Sequence, residues 1–144
     1  MGGGGRDCFL IDTSACSRFP RVAENQTGWG DLAEEGRISI CDPTKSELLY
    51  SARSAAQYKE MSDGLDQMYT WRLVPDDAWR RVHDLQERLA HGGCLRSAGV
   101  VDLLVAVTAQ HHRLTILHYD RDFETIARYA DLKTRWLAEP GTIV

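Results

Sequence analysis

The sequence predicts a single α/β domain: a parallel five-stranded sheet flanked by helices on both faces. Short apolar runs of strand length alternate with helix-length stretches along the 144 residues, and strands that alternate with helices pair in parallel through right-handed crossovers. A chain of this length can bury one sizeable core, and no internal repeat or linker divides it.

Residues 1–7 read as a flexible leader, because Met1-Gly-Gly-Gly-Gly-Arg lacks the apolar stretch of a signal peptide; residues 8–144 form the domain. Cys8-Phe9-Leu10-Ile11 is the first strand. It ends on Asp12, and Asp12-Thr13-Ser14 offers capping side chains to a following helix. After a loop rich in Gly and Asn, Gly28 to Glu35 forms a brief helix that Gly36 ends before the strand Ile38-Ser39-Ile40-Cys41.

Asp42-Pro43 opens the next helix, with Asp as cap and Pro at the first helical position, where its missing N–H costs nothing. That helix carries Glu47 in its second turn and runs to about Tyr58; a second helical stretch holds Leu65 and Met68. Trp71-Arg72-Leu73-Val74 is the third strand. Pro75-Asp76-Asp77 opens a helix with Trp79, Val82, Leu85 and Leu89 on its apolar face, and His91-Gly92-Gly93 stops it. The run from Ala98 to Val107 is nearly all apolar and predicts a buried helix. Leu114 to His118 is the fourth strand, Asp122 caps a helix from Phe123 to Tyr129, and Leu132 to Leu137 is the fifth strand.

With 43% apolar and 26% charged residues the chain has the composition of a soluble globular protein. The formal charge of −4 excludes nucleic-acid binding through bulk charge, so any such contact is local. Arg18, Arg21, Lys45, Arg53, Arg96 and Arg121 lie near the acidic positions described next and offer such a rim, although each alone also reads as solvated surface. The four cysteines form no C-x-x-C pair and no zinc-type spacing with the five histidines. Cys8 and Cys41 read as small buried hydrophobes, which fits a reducing cytoplasm. No apolar run approaches the roughly 20 residues that span a bilayer.

In open parallel sheets ligands gather beyond the carboxyl ends of the strands, where strand order reverses. Asp12 ends the first strand and Asp120 follows the fourth, while Glu47 and Asp102 lie in early helical turns. Asp102 sits between Val100, Val101, Leu103 and Leu104, and a carboxylate there needs a partner, a cation or a wet cleft. Singly, each acid has a plainer role: Asp12 and Ser14 as a helix cap, Glu47 as surface, Asp102 in a salt bridge or facing solvent, Asp120 and Asp122 as a turn. Together, carboxylates without a shared cation repel one another, and oxygen-rich clusters suit Mg²⁺ or Mn²⁺. Such an ion activates water and stabilises charge on a phosphate under in-line attack. The histidines add little: His111 and His112 suit a helix end, His83 an amphipathic face, and metal-assisted hydrolysis does not need His118.

Ile11-Asp12-Thr13-Ser14-Ala15, Ser46-Glu47-Leu48-Leu49, Val101 to Ala106 and Leu117 to Phe123 together resemble the motifs of PIN-domain ribonucleases. In order and spacing they resemble most the VapC-type toxins of bacterial toxin-antitoxin pairs, over essentially the whole chain from Cys8. The resemblance implies a Mg²⁺-dependent endoribonuclease, Mn²⁺ being the alternative ion. It implies that Asp12 and Asp102 are the main metal ligands, that Glu47 and Asp120 complete the acidic pocket, and that Asp122 is a further acid. Thr13 or Ser14 would orient a ligand or bound water. It also implies an RNA substrate, a homodimer, and a VapB-type antitoxin whose C-terminal part covers the site. One departure is Gly99-Val100, where relatives often carry Pro, which leaves the start of that helix open.

Two other classes fit the sequence less well. A receiver-like or degenerate PIN-like protein-binding module lacks support, because no phospho-acceptor Asp follows the third strand and all four acids are present. A phosphatase of the haloacid dehalogenase type needs Asp-x-Asp at the first strand, and here the second position is Ser14.

Overall fold

The computed structural model describes residues 7–23 and 28–143. The leader expected at residues 1–7, apart from Asp7, and most of the Gly- and Asn-containing loop lie outside the described residues. The elements are β1 (Phe9–Ile11), α1 (Thr13–Cys16), α2 (Phe19–Ala23), α3 (Trp29–Glu34), β2 (Ile38–Cys41), α4 (Asp42–Leu49), α5 (Ala55–Met68), β3 (Thr70–Arg72), α6 (Ala78–His91), α7 (Val100–His112), β4 (Thr115–His118), α8 (Asp122–Ala127) and β5 (Thr134–Trp136). A 3₁₀ turn over Leu95–Ser97 precedes α7.

All five strands pair in parallel in the order β3-β2-β1-β4-β5, so strand order reverses between β1 and β4. Alternation along the strands divides the core. Phe9 and Ile11 of β1 join Ile38, Ile40 and Leu117 against α1, α2 and α3, while Leu10 and Ile116 pack against α6, α7 and α8. Helices therefore cover both faces, as the sequence predicts.

The structure corrects several local expectations. The helix opened by Asp42 ends at Leu49 instead of reaching Tyr58. The break has a reciprocal cap: Ser54 Oγ accepts the Gln57 N–H at 3.1 Å, and Gln57 Oε1 accepts the Arg53 N–H at 2.6 Å, so Ser54-x-x-Gln57 starts a new helix. Asp42 does not cap α4; its carboxylate accepts the Trp71 indole N–H at 3.2 Å, and Cys41 is the cap residue. Trp79 is 56% exposed and outside the core, because the buried stripe of α6 is Ala78, Val82, Leu85 and Leu89. Helix α2 was not foreseen, and Asp122 is the first residue of α8 rather than its cap.

Helix α7 begins at Val100 without a proline. Gly99 is its cap residue, and the Asp102 carboxylate accepts the Gly99 N–H at 3.3 Å. Buried Leu103, Val105, Ala106, Val107 and Ala109 make this the central core helix. Its first turn is held beside α4, which packs on both α7 and α1. Among the described residues, no helix is long and apolar enough to cross a membrane.

Candidate active site

Asp12 leaves the carboxyl end of β1 at the reversal of strand order. Its backbone N–H is held by the Leu117 carbonyl of β4 at 3.1 Å, which ties the two strand ends together. Its side chain is buried, 3% exposed, and caps α1 by accepting the Ala15 N–H at 2.9 Å. Ser14 supplies the second support: its hydroxyl lies 2.8 and 2.7 Å from the two Asp12 oxygens and accepts the Tyr119 N–H at 2.9 Å. Because Tyr119 donates to Ser14 Oγ, the Ser14 proton is directed at Asp12. One hydroxyl thus joins β1 to the turn after β4.

That turn carries the next acids. Asp120 Oδ1 accepts the Asp122 N–H at 3.0 Å, so both residues are fixed at the start of α8. His118 is fully buried and also holds the turn: its Nδ1 accepts the Asp120 N–H at 3.2 Å, which leaves Nε2–H to donate to Glu124 at 2.7 Å. Thr134 Oγ donates to the same Glu124 oxygen at 2.7 Å. His118 therefore positions Asp120, a part that sequence reasoning missed; Glu124, six residues on, belongs to no recognisable pattern.

Burial pushes the Asp12 carboxyl up to about 6; the Ala15 and Ser14 hydrogen bonds oppose this, and the charge of Asp102 adds to it. Asp102 is also pushed up to about 6, first by burial, against the Gly99 N–H, with Asp120, Glu47 and Asp122 adding repulsion. Burial and then Asp120 push Asp122 upward as well. The acids predicted from sequence thus share one electrostatic neighbourhood, in which exposed Glu47 faces Asp102 from α4. Their side chains do not converge on a point: among the described residues, no three of His, Cys, Asp and Glu stand close enough to hold a metal ion.

The donor set still fits a hard divalent cation. Every candidate ligand is an oxygen, burial and then neighbouring like charges raise the carboxyl pKa values of Asp12 and Asp102, and Thr13 Oγ1, next to Asp12 in the chain, is buried without a hydrogen-bond partner. Of the basic rim, Arg18 reaches the site: Nη1 donates to the Ser14 carbonyl at 2.9 Å, its guanidinium lies 4.9 Å from the Tyr119 ring centre, and its buried Nε has no acceptor. Lys45 does not, because it pairs with Asp66 of α5 at 2.7 Å.

A parallel sheet with acids at the carboxyl ends of β1 and β4 is the framework of an acid-lined nuclease, and the comparisons agree. The PIN-domain profile matches residues 9–129, so the chain belongs to the PIN-domain family. The chain is 34% identical over 136 residues to ribonuclease VapC21 of Mycobacterium tuberculosis, covering 93% of this chain and 96% of that one. It is 39% identical over 120 residues to ribonuclease VapC17 of the same organism, covering 83% and 86%. The DNA-bound VapBC of Salmonella typhimurium has the same fold at 17% identity, with a TM-score of 0.71 over 92% of this chain and 100% of that one.

Proposed function

We propose that this chain is an endoribonuclease toxin of a toxin-antitoxin pair, cutting RNA phosphodiester bonds at the carboxylates between β1, α4, α7 and β4. The observation that carries the reading is the electrostatic grouping of Glu47, Asp120 and Asp122 around Asp102, next to buried Asp12, at the reversal of strand order. The names of the ribonuclease relatives support the activity, and the VapBC complexes among the structural neighbours support an antitoxin of the VapB type as partner. A homodimer and a cytoplasmic location complete the reading.

Asp12 and Asp102 are the principal metal ligands, with Glu47 and Asp120 completing the pocket and Asp122 as a further acid. Mg²⁺ is the expected ion, with Mn²⁺ able to replace it. A divalent ion bound there supplies Lewis-acid stabilisation of charge on the phosphate and activates water. The chain's own residues set the geometry: Ser14 and the Ala15 N–H orient Asp12, His118 orients the Asp120 turn, and Thr13, next to Asp12 in the chain, keeps a buried hydroxyl without a partner. Arg18 places a cation beside Tyr119, where an RNA phosphate can meet it in an otherwise acidic chain.

Incubating the purified protein with total RNA and with a small phosphomonoester separates this reading from a phosphatase or a binding module. RNA should be cut in Mg²⁺ and left intact in EDTA, and the monoester should survive both. Hydrolysis of the monoester alone, or of neither substrate, would overturn the reading. Ser14→Ala removes the hydroxyl that joins Asp12 to the Tyr119 turn and is expected to slow RNA cleavage about tenfold, as loss of a ligand-orienting group does. Its check is single-turnover cleavage beside a thermal melt, with the fold retained.

A further inference from the structure

A cavity of about 610 Å³ opens at the other end of the sheet, lined among others by Arg81 and Arg88 of α6, Arg113 at the end of α7 and Lys133 just before β5. Arg113 and Lys133 lead into the amino ends of β4 and β5, so the cleft and the carboxylates lie at opposite ends of the strands.

The protein neutralises these cations only in part. Asp84 lines the cavity but pairs with Arg80 at 3.6 Å. Asp131 also lines it, yet among the described residues its carboxylate makes no ion pair. Arg81 approaches Asp77 only at 4.0 Å and Gln110 at 3.4 Å, and Arg88 donates to the Tyr129 carbonyl at 3.5 Å. Among the described residues, the side chains of Arg113 and Lys133 have neither an ion pair nor a hydrogen bond. In a chain of net charge −4, two unpartnered cations beside two loosely held ones need an explanation.

Arg113 adds a second observation. It is the one non-glycine residue with positive φ, 58°, among the described residues, and it closes α7 at a position that glycine usually fills. An L side chain there costs about 1 kcal/mol, and His111 and His112 already place basic groups in the last turn of α7. Arginine at a strained position on the cavity rim points to a role for the guanidinium outside the backbone.

The spacing selects the ligand. Arg81 and Arg88 are seven residues apart on one helix, about 10 Å along its axis, and their guanidinium groups lean on different partners, Gln110 and the Tyr129 carbonyl, so they present separate points of positive charge. Such a row suits a chain of phosphates. We propose that this cleft binds the phosphate backbone of the RNA at a segment remote from the cut, so that long RNAs are held at both ends of the sheet. This rests on the ribonuclease reading above. A dinucleotide at the carboxylates does not reach the cleft, because strands and flanking turns separate them by well over 10 Å.

The test is the double variant Arg113→Gly, Lys133→Gln, in which glycine suits the backbone at 113. Binding of a labelled oligouridylate of about thirty nucleotides is measured in EDTA across a salt series, so that it does not depend on cleavage. The slope of log affinity against log salt should become shallower by about 1.4 for two lost phosphate contacts. With Mg²⁺, KM for long RNA should rise about tenfold at unchanged kcat, and dinucleotide cleavage should be unaffected. An unchanged salt slope and KM would overturn the proposal, as would wild-type protein that binds no oligouridylate, or displacement of the oligomer by UMP at comparable phosphate concentration, which would make the cleft a mononucleotide site. If the slope falls as expected but neither protein cuts RNA, the cleft stands as an RNA contact and the cleavage reading fails.

Discussion

Asp12→Asn and Asp102→Asn are each expected to lower RNA cleavage at least about 10³-fold, roughly 4 kcal/mol of transition-state stabilisation, without unfolding the protein. Both changes keep the side-chain shape and remove a charge that a metal ion needs. At position 12 the amide oxygen can still accept the Ala15 N–H, and the new NH₂ can donate to Ser14 Oγ. At position 102 the amide oxygen can keep the Gly99 N–H. Single-turnover cleavage beside a thermal melt checks both halves, since loss of activity through unfolding would lower the melting temperature. The variants should instead melt at or above wild type, because each relieves a carboxylate that its surroundings disfavour.

The second large effect is a fall in stability with rising pH, measured in EDTA. Asp12 has a folded-state pKa of about 6 against an ordinary value of 3.8. Between those values the unfolded chain has released its proton while the folded chain keeps it, so fewer protons are bound in the unfolded state and stability decreases as pH rises. The loss begins near pH 4, is complete above about pH 6, and amounts to on the order of 3 kcal/mol for Asp12. Asp102 shifts in the same direction, and its partial exposure makes its share smaller. Urea melts at pH 4.5 and 7.5 should show the decrease in wild type and a clearly smaller one in Asp12→Asn. Equal pH dependence in the two proteins would show that Asp12 ionises as freely folded as unfolded.

The sheet and the acids were legible for the same reason: strand ends and caps are local. Short β-rich runs gave all five strands to within two residues at each end, and Asp12 stands out as the polar residue that follows an apolar strand. Three features were hidden. The break between α4 and α5 depends on the reciprocal Ser54 and Gln57 cap, which competes with a helical pattern that continues through it. Trp79 keeps helical spacing yet faces water, because periodicity gives a stripe and only packing shows where the stripe ends. The supports of the site, Ser14 to Tyr119 and His118 to Glu124, join residues through the turn after β4 and the start of α8, and the first spans 105 positions. The sequence also ranks the acids by family likeness, while the physical surroundings separate them: Asp12 is buried and braced, Asp102 is half-buried among like charges, and Glu47 is exposed.

The central claim is that these carboxylates form one site for a divalent ion. Its most direct test is the thermal melt of wild type and Asp102→Asn at pH 7.5, titrated with Mn²⁺ from an EDTA-treated start. An ion that binds only the folded site raises stability by about 2.7 kcal/mol at a hundredfold excess over its dissociation constant. Wild type should therefore gain several degrees in melting temperature, and Asp102→Asn should gain little or nothing over the same range. An equal rise in both proteins, or none in wild type, would contradict the site as described.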